Sequence, residues 1–431
     1  MKITNHKPFF AVLLLLIVGI FSAQIVSAHS SVVVILLYGD DPTPLKNIIT
    51  VSEEDGDFTD PIAALASIPI LGPDAPSVDN PYLIVIGPGI YSLESILFMR
   101  LFVGITSSGV TKTILRGSSS EPRIAPTGSL VVASAQPSPN SMSHLSIENT
   151  TEKASGASIS IYAVFARLSL KNIRVKVDAN SDSAIGIYSS FAGGDLNHVE
   201  IDITNLGQTT IAMSNGSSPL FINHLEINAF GQGSSVAGME NNFSAVRLRD
   251  ARISAFGGSP NTDATGVLYF DDGDEFINEF FDGKIIVSGG SAGDSFGIFT
   301  SGAAPLVSHV DIEIFESEDS TAVYTLGTAT SKVSHCNIRV AGTQYATGAS
   351  VAGATASSLI EHCTVTVIRP SGAVDSVLAG AVAGTSGHLI VANTLFRGGG
   401  VSGDGDKDGV YTAVDSDLGG FAELTANCVD P

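Results

Sequence analysis

His144, His198, His224, His309, His335 and His362 recur with Asn172, Asp250 and Asp282 at one position of a repeat, most steps of which are 26 to 28 residues. Six of the nine histidines in the chain fall in this column. Imidazole changes charge nearest neutral pH and ligates metals, so one reading is a metal or pH-sensing site. Side chains stacked along a column point in parallel, however, and do not converge on a tetrahedral ion. The expectation is therefore a structural ladder in which the histidines are neutral, sensitive to acid because stacked imidazolium groups repel.

Two further sets of residues have spacing that could do chemistry. Asp404, Asp406 and Asp408, with Gly409 at position six and Asp415 at position twelve, follow the spacing of a calcium loop. Alternating carboxylates around a loop can close on one hard cation; the competing reading is a solvated acidic turn. Arg247, Arg249 and Arg252 form the one local arginine cluster and are the candidates for a catalytic cation on the outer face.

The elements that carry these residues are short strands. Ser331 to Val340 reads as strand, polar corner at His335, then strand. Two residues before each corner and three after it the columns are apolar throughout, for example Leu196, Ile222 and Leu248 before, and Ile201, Ile227 and Ile253 after. Two residues after the corner stand Arg174, Glu200, Glu226, Arg252, Lys284 and Asp311, which alternation places on the outside. In the last regular unit the corner is assigned to Ala392. Such a period marks a solenoid whose units cannot bury their apolar face alone. The fold class is all-β, a right-handed parallel β-helix of about 13 rungs and near 60 Å long at ~4.8 Å per rung.

The chain has 431 residues, no Trp, 45 Gly, 15% charged residues and a formal charge of -22. That acidity argues against nucleic acid and anionic membranes as partners. Lys2 and Lys7, the apolar run from Phe9 to Ala23 and Val26-Ser27-Ala28 form a signal peptide, residues 1–28, and the expected location is exported: secreted, periplasmic or cell-surface. An uncleaved anchor is the competing reading; no later segment is long and apolar enough to span a membrane. Residues 29–81 form a cap segment in which Asp60 and Pro61 start a short helix. Residues 82–397 form the β-helix and 398–431 an irregular closing segment containing the candidate calcium loop. Cys336 and Cys363 share an inward column one rung apart, where parallel Cβ directions favour free thiols over a disulfide. Cys428 is left without a role. An insertion carries the acidic run Asp271 to Glu275.

Gly56-Asp57-Phe58-Thr59, Tyr82 to Ile86 and Gly87-Pro88-Gly89-Ile90-Tyr91 resemble the start of pectin-lyase-fold proteins, including bacterial pectinesterase-like chains. Ser183 to Tyr188 and Pro219 to Ile227 are similar to units of an uncharacterised group of bacterial β-helix repeat proteins. The resemblance implies the fold, and implies that an inner corner column can bond rung to rung, as Asn does in such proteins and neutral His can. It does not supply catalytic residues: Leu93 stands where G-x-Y-x-E has Glu, and Glu275-Phe276-Ile277-Asn278 is the nearest approach to D-F-I-F. The expected function is a non-enzymatic exported rod, structural, adhesive or glycan-binding, with polysaccharide as partner and calcium as the one candidate cofactor. The alternative is a carbohydrate-active enzyme, pectinesterase-like or lyase-like, on an acidic polysaccharide.

Overall fold

The computed structural model describes residues 47–133, 139–152, 155–271, 277–352, 356–368, 377–383, 388–392, 394–397, 400–403 and 410–414. The parallel β-helix implied by the resemblance is the architecture observed. A regular rung has a long strand bent at a corner, such as Gly193–Asn205, and a shorter strand, such as Thr209–Gly216. Gly193–Asn205 pairs in parallel with Arg167–Ala179 on one side and Leu220–Gly231 on the other. Thr209–Gly216 pairs in the same way with Ser183–Ser190 and Ser235–Asn242. Level residues therefore form columns that run along the stack.

The apolar columns face inward. Val175, Ile201, Ile227, Ile253, Ile285 and Ile312 stand level with one another and are fully buried. Each such aliphatic side chain contributes about 1.5–3 kcal/mol by leaving water. No rung can bury this face alone, so stability comes from stacking. The shorter strands bend at an inward glycine: a Cβ on Gly186 would lie 2.5 Å from the Ala212 carbonyl oxygen and 2.7 Å from the Ile201 side chain.

Every corner residue from His144 to His362 has positive φ, between 50° and 63°. That left-handed conformation explains the composition of the column, because Asn, Asp and His enter it more readily than other side chains with a Cβ. Ala392 does not belong to the column. It pairs with Glu361, the residue before His362, so the corner of this rung falls one residue after Ala392.

The helix Pro61–Ser67 begins as expected, with Asp60 accepting hydrogen bonds from the amides of Ile62 (3.1 Å) and Ala63 (2.9 Å). Arg100 closes its other end by donating to the carbonyls of Leu65, Ile68 and Pro69. Parallel pairing continues past residue 397: Gly400–Gly403 pairs with Val377–Ala383, and Val410–Val414 with His388–Ala392. Among the described residues no helix is long and apolar enough to cross a membrane.

Candidate functional site

The corner column lies on the outside. His198, His224, His309, His335 and His362 are exposed and Asn172 is half-buried. Neighbouring imidazoles stack: His198 on His224 at 4.2 Å, His309 on His335 and His335 on His362 at 5.0 Å. Their polar contacts run along the chain or to the next corner. His309 Nδ1 meets Ser308 Oγ at 2.9 Å, and His224 Nε2 lies 3.0 Å from Asp250 Oδ2. His144 is the half-buried histidine; desolvation, with Lys171 nearby, holds its pKa below the ordinary histidine value. A buried column on the shorter strands also bonds rung to rung: Ser189 Oγ donates to Asn215 Oδ1 (2.7 Å) and Asn215 Nδ2 to Asn241 Oδ1 (2.8 Å).

The three arginines do not converge. Arg247 and Arg249 precede the bend at Asp250 and Arg252 follows it, so they stand on different faces. Arg247 Nε lies 3.4 Å from Glu279 Oε2 with its guanidinium over Phe221, and Arg249 lies over Phe281. Arg252 joins His224, Glu226, Asp250 and Lys284 around a shallow hollow of about 330 Å³. The outward charge column is level as expected, and its ion pairs are both level and diagonal. Arg174 is 2.6 Å from Asp202 and 3.4 Å from the level Glu200, and Lys284 pairs with Glu313 at 3.0 Å.

Asp263, Asp294 and Asp319 form a carboxylate column unforeseen from the sequence. Burial, then the neighbouring Asp263 and Glu318, raises the pKa of Asp294; burial, then Asp294 and Glu318, does the same to Asp319. Among the described residues no three His, Cys, Asp or Glu side chains are placed to hold a metal ion. Asp404, Asp406, Asp408 and Asp415 lie outside the described residues, as do Cys428, the first 46 residues and Asp272 to Phe276 of the acidic insertion. Cys336 and Cys363 are level, buried and free. The Cys336 contact and burial push the Cys363 thiol up, which keeps it protonated.

A second left-handed corner follows the shorter strands. It is occupied in turn by Phe165, Phe191, Ser217, Phe243, Asp271, Gly302 and Gly327. All but Asp271 have positive φ. The phenylalanines are exposed, by 63% at Phe165, 58% at Phe191 and 41% at Phe243. Phe165 stacks on Phe191 at 5.2 Å, and three residues earlier Tyr162 stacks on Tyr188 at 5.3 Å. Sequence reasoning missed this strip because Phe is a poor left-handed residue. The signal available was Phe, Phe, Ser, Phe at steps of 26.

No family model matches the chain, and no curated protein matches it. Among solved structures it is similar to the A-module of mannuronan C-5 epimerase AlgE6 of Azotobacter vinelandii, at 11% identity and a TM-score of 0.39 over 83% of this chain and 89% of that one. It is similar also to the catalytic unit of the thermostable GH87 alpha-1,3-glucanase from Streptomyces thermodiastaticus strain HF3-3, at 11% identity and a TM-score of 0.33 over 89% and 71%. A third is DFA-IIIase from Arthrobacter chlorophenolicus A6, at 13% identity and a TM-score of 0.29 over 82% and 89%. These likenesses concern the fold alone.

Proposed function

We propose that the protein is an exported, non-enzymatic β-helix that binds glycan through its exposed outer face. The observation that carries this reading is the aromatic corner, where Phe165, Phe191 and Phe243 are both exposed and held at positive φ. Exposed aromatic surface forfeits hydrophobic stabilisation, and a left-handed Phe adds backbone strain of about 1–2 kcal/mol. Strain of this kind is characteristic of binding sites. Aromatic faces with hydroxyl and amide groups beside them suit sugars, whose C–H faces carry partial positive charge and meet the negative face of the ring.

A carbohydrate-active enzyme is the second reading, favoured by the hollow where His224 and Asp250 lie 3.0 Å apart beside Arg252 and Lys284. A carboxylate that orients an imidazole next to two cations is the material of proton abstraction. One experiment separates the two. The mature protein is incubated with methyl-esterified and de-esterified pectin while methanol and unsaturated product are followed, and its retention in polysaccharide-containing gels is measured in parallel. Retention without turnover is the expected result. Turnover abolished by His224→Asn would overturn the binding reading in favour of the enzyme.

A further inference from the structure

Along the aromatic corner the column reads Phe165, Phe191, Ser217, Phe243. Phe191 shares one face with Phe165, the two planes lying within 12° of parallel. Next to it on the other side is Ser217, whose hydroxymethyl group is too small to cover a ring. Phe243 follows one rung later. Two rungs separate Phe191 from Phe243, about 10 Å at the usual strand spacing. A ring inserted over Ser217 would sit about 5 Å from each of them, inside the 4.5–7 Å range of stacked rings.

The fold does not require Phe here, since Gly302 and Gly327 take the same corner farther along at φ of 76° and 80°. Polar groups surround the gap. The side chains of Ser190, Ser217, Asn242 and Glu240 make no hydrogen bond or ion pair with any described residue. Glu240 is the one acidic or basic side chain among the outward residues from Tyr162 to Phe243 on this strip. Its carboxylate, in a chain of formal charge -22, disfavours an anionic ligand.

Resting on the glycan-binding reading above, we propose that Phe191 and Phe243 clamp one neutral sugar ring of a glycan over Ser217, with Ser190, Asn242 and Glu240 meeting its hydroxyls. A purely aromatic ligand would leave those polar groups unpaired. A uronate would meet the Glu240 carboxylate.

The test is Ser217→Phe, compared with the unaltered protein by affinity electrophoresis in gels containing barley β-glucan, dextran or polygalacturonate. Ser217→Phe continues the ring column and fills the gap, while its backbone takes the conformation Phe already has at Phe165, Phe191 and Phe243. A melting curve of the variant confirms that it folds. If the clamp exists, the unaltered protein is retarded by at least one neutral glucan, and Ser217→Phe weakens that retardation at least tenfold. If the strip binds only as a general aromatic surface, the added ring leaves retardation unchanged or strengthens it, and the clamp is overturned while the glycan reading stands. Retardation by polygalacturonate alone overturns the neutral-sugar assignment but keeps the glycan reading. No retardation in any gel overturns both.

Discussion

The ring of Phe191 lies 5.2 Å from that of Phe165 and nearly parallel to it, on the outside of a corner where both backbones are left-handed. The histidine corner uses the same backbone conformation with side chains suited to it. One corner thus follows conformational preference and the other runs against it, and it is on the second that the proposed glycan site rests.

The histidine corner is expected to tolerate substitution by conformational class rather than by chemistry. His335→Gly or His335→Asn should leave unfolding within about 0.5 kcal/mol of the parent, whereas His335→Val should cost about 1–2 kcal/mol because a β-branched residue resists positive φ. Chemical denaturation of the three variants checks this. Equal destabilisation by all three would assign the stability to the imidazole stack instead.

The buried column should be far less forgiving. Asn215 both accepts from Ser189 and donates to Asn241 with no exposure to solvent. Asn215→Leu removes both bonds and strands two buried partners, at about 1–3 kcal/mol for each unsatisfied group. A fall in unfolding free energy of about 2–6 kcal/mol is the expected outcome, read from the denaturation midpoint.

Two groups set opposite pH dependences. The raised Asp294 carboxyl makes the folded state bind a proton more readily than the unfolded chain. Its penalty is absent in acid and appears as pH rises from the ordinary aspartate value of 3.8 through the folded pKa. Asp294→Asn should raise the melting temperature at pH 7, with the gain shrinking toward pH 3. The depressed His144 acts in the other sense: stability is lost as pH falls from 6.5 through its folded pKa, and His144→Asn, which keeps the corner geometry, should flatten that limb. Melting curves from pH 3 to pH 8 record both limbs. A gain for Asp294→Asn that grows toward acid would contradict the assignment.

Much of the fold was legible in the chain, because period, alternation and the left-handed preference of Asn, Asp and His all mark the same corner. The side of the histidines was harder to read, since a left-handed residue can turn inward or outward and only the packed rung decides it. Ala392 was misplaced by one residue because the preceding insertion hides the step. Asp263, Asp294 and Asp319 stand level across steps of 31 and 25 residues, which no fixed period reveals. The aromatic corner went unread because Phe argues against a turn, so its strain is visible only in the backbone.

Binding and melting measured together on the double variant Phe165→Gly/Phe191→Gly distinguish corner strain held for a ligand from corner strain without one. Glycine relieves about 1–2 kcal/mol of strain at each corner and forfeits a ring pair worth about 0.5–1.5 kcal/mol. A melting temperature at or above that of the parent, with retention on neutral glycan lost, is therefore the expected result. Undiminished retention by a folded double variant would contradict it.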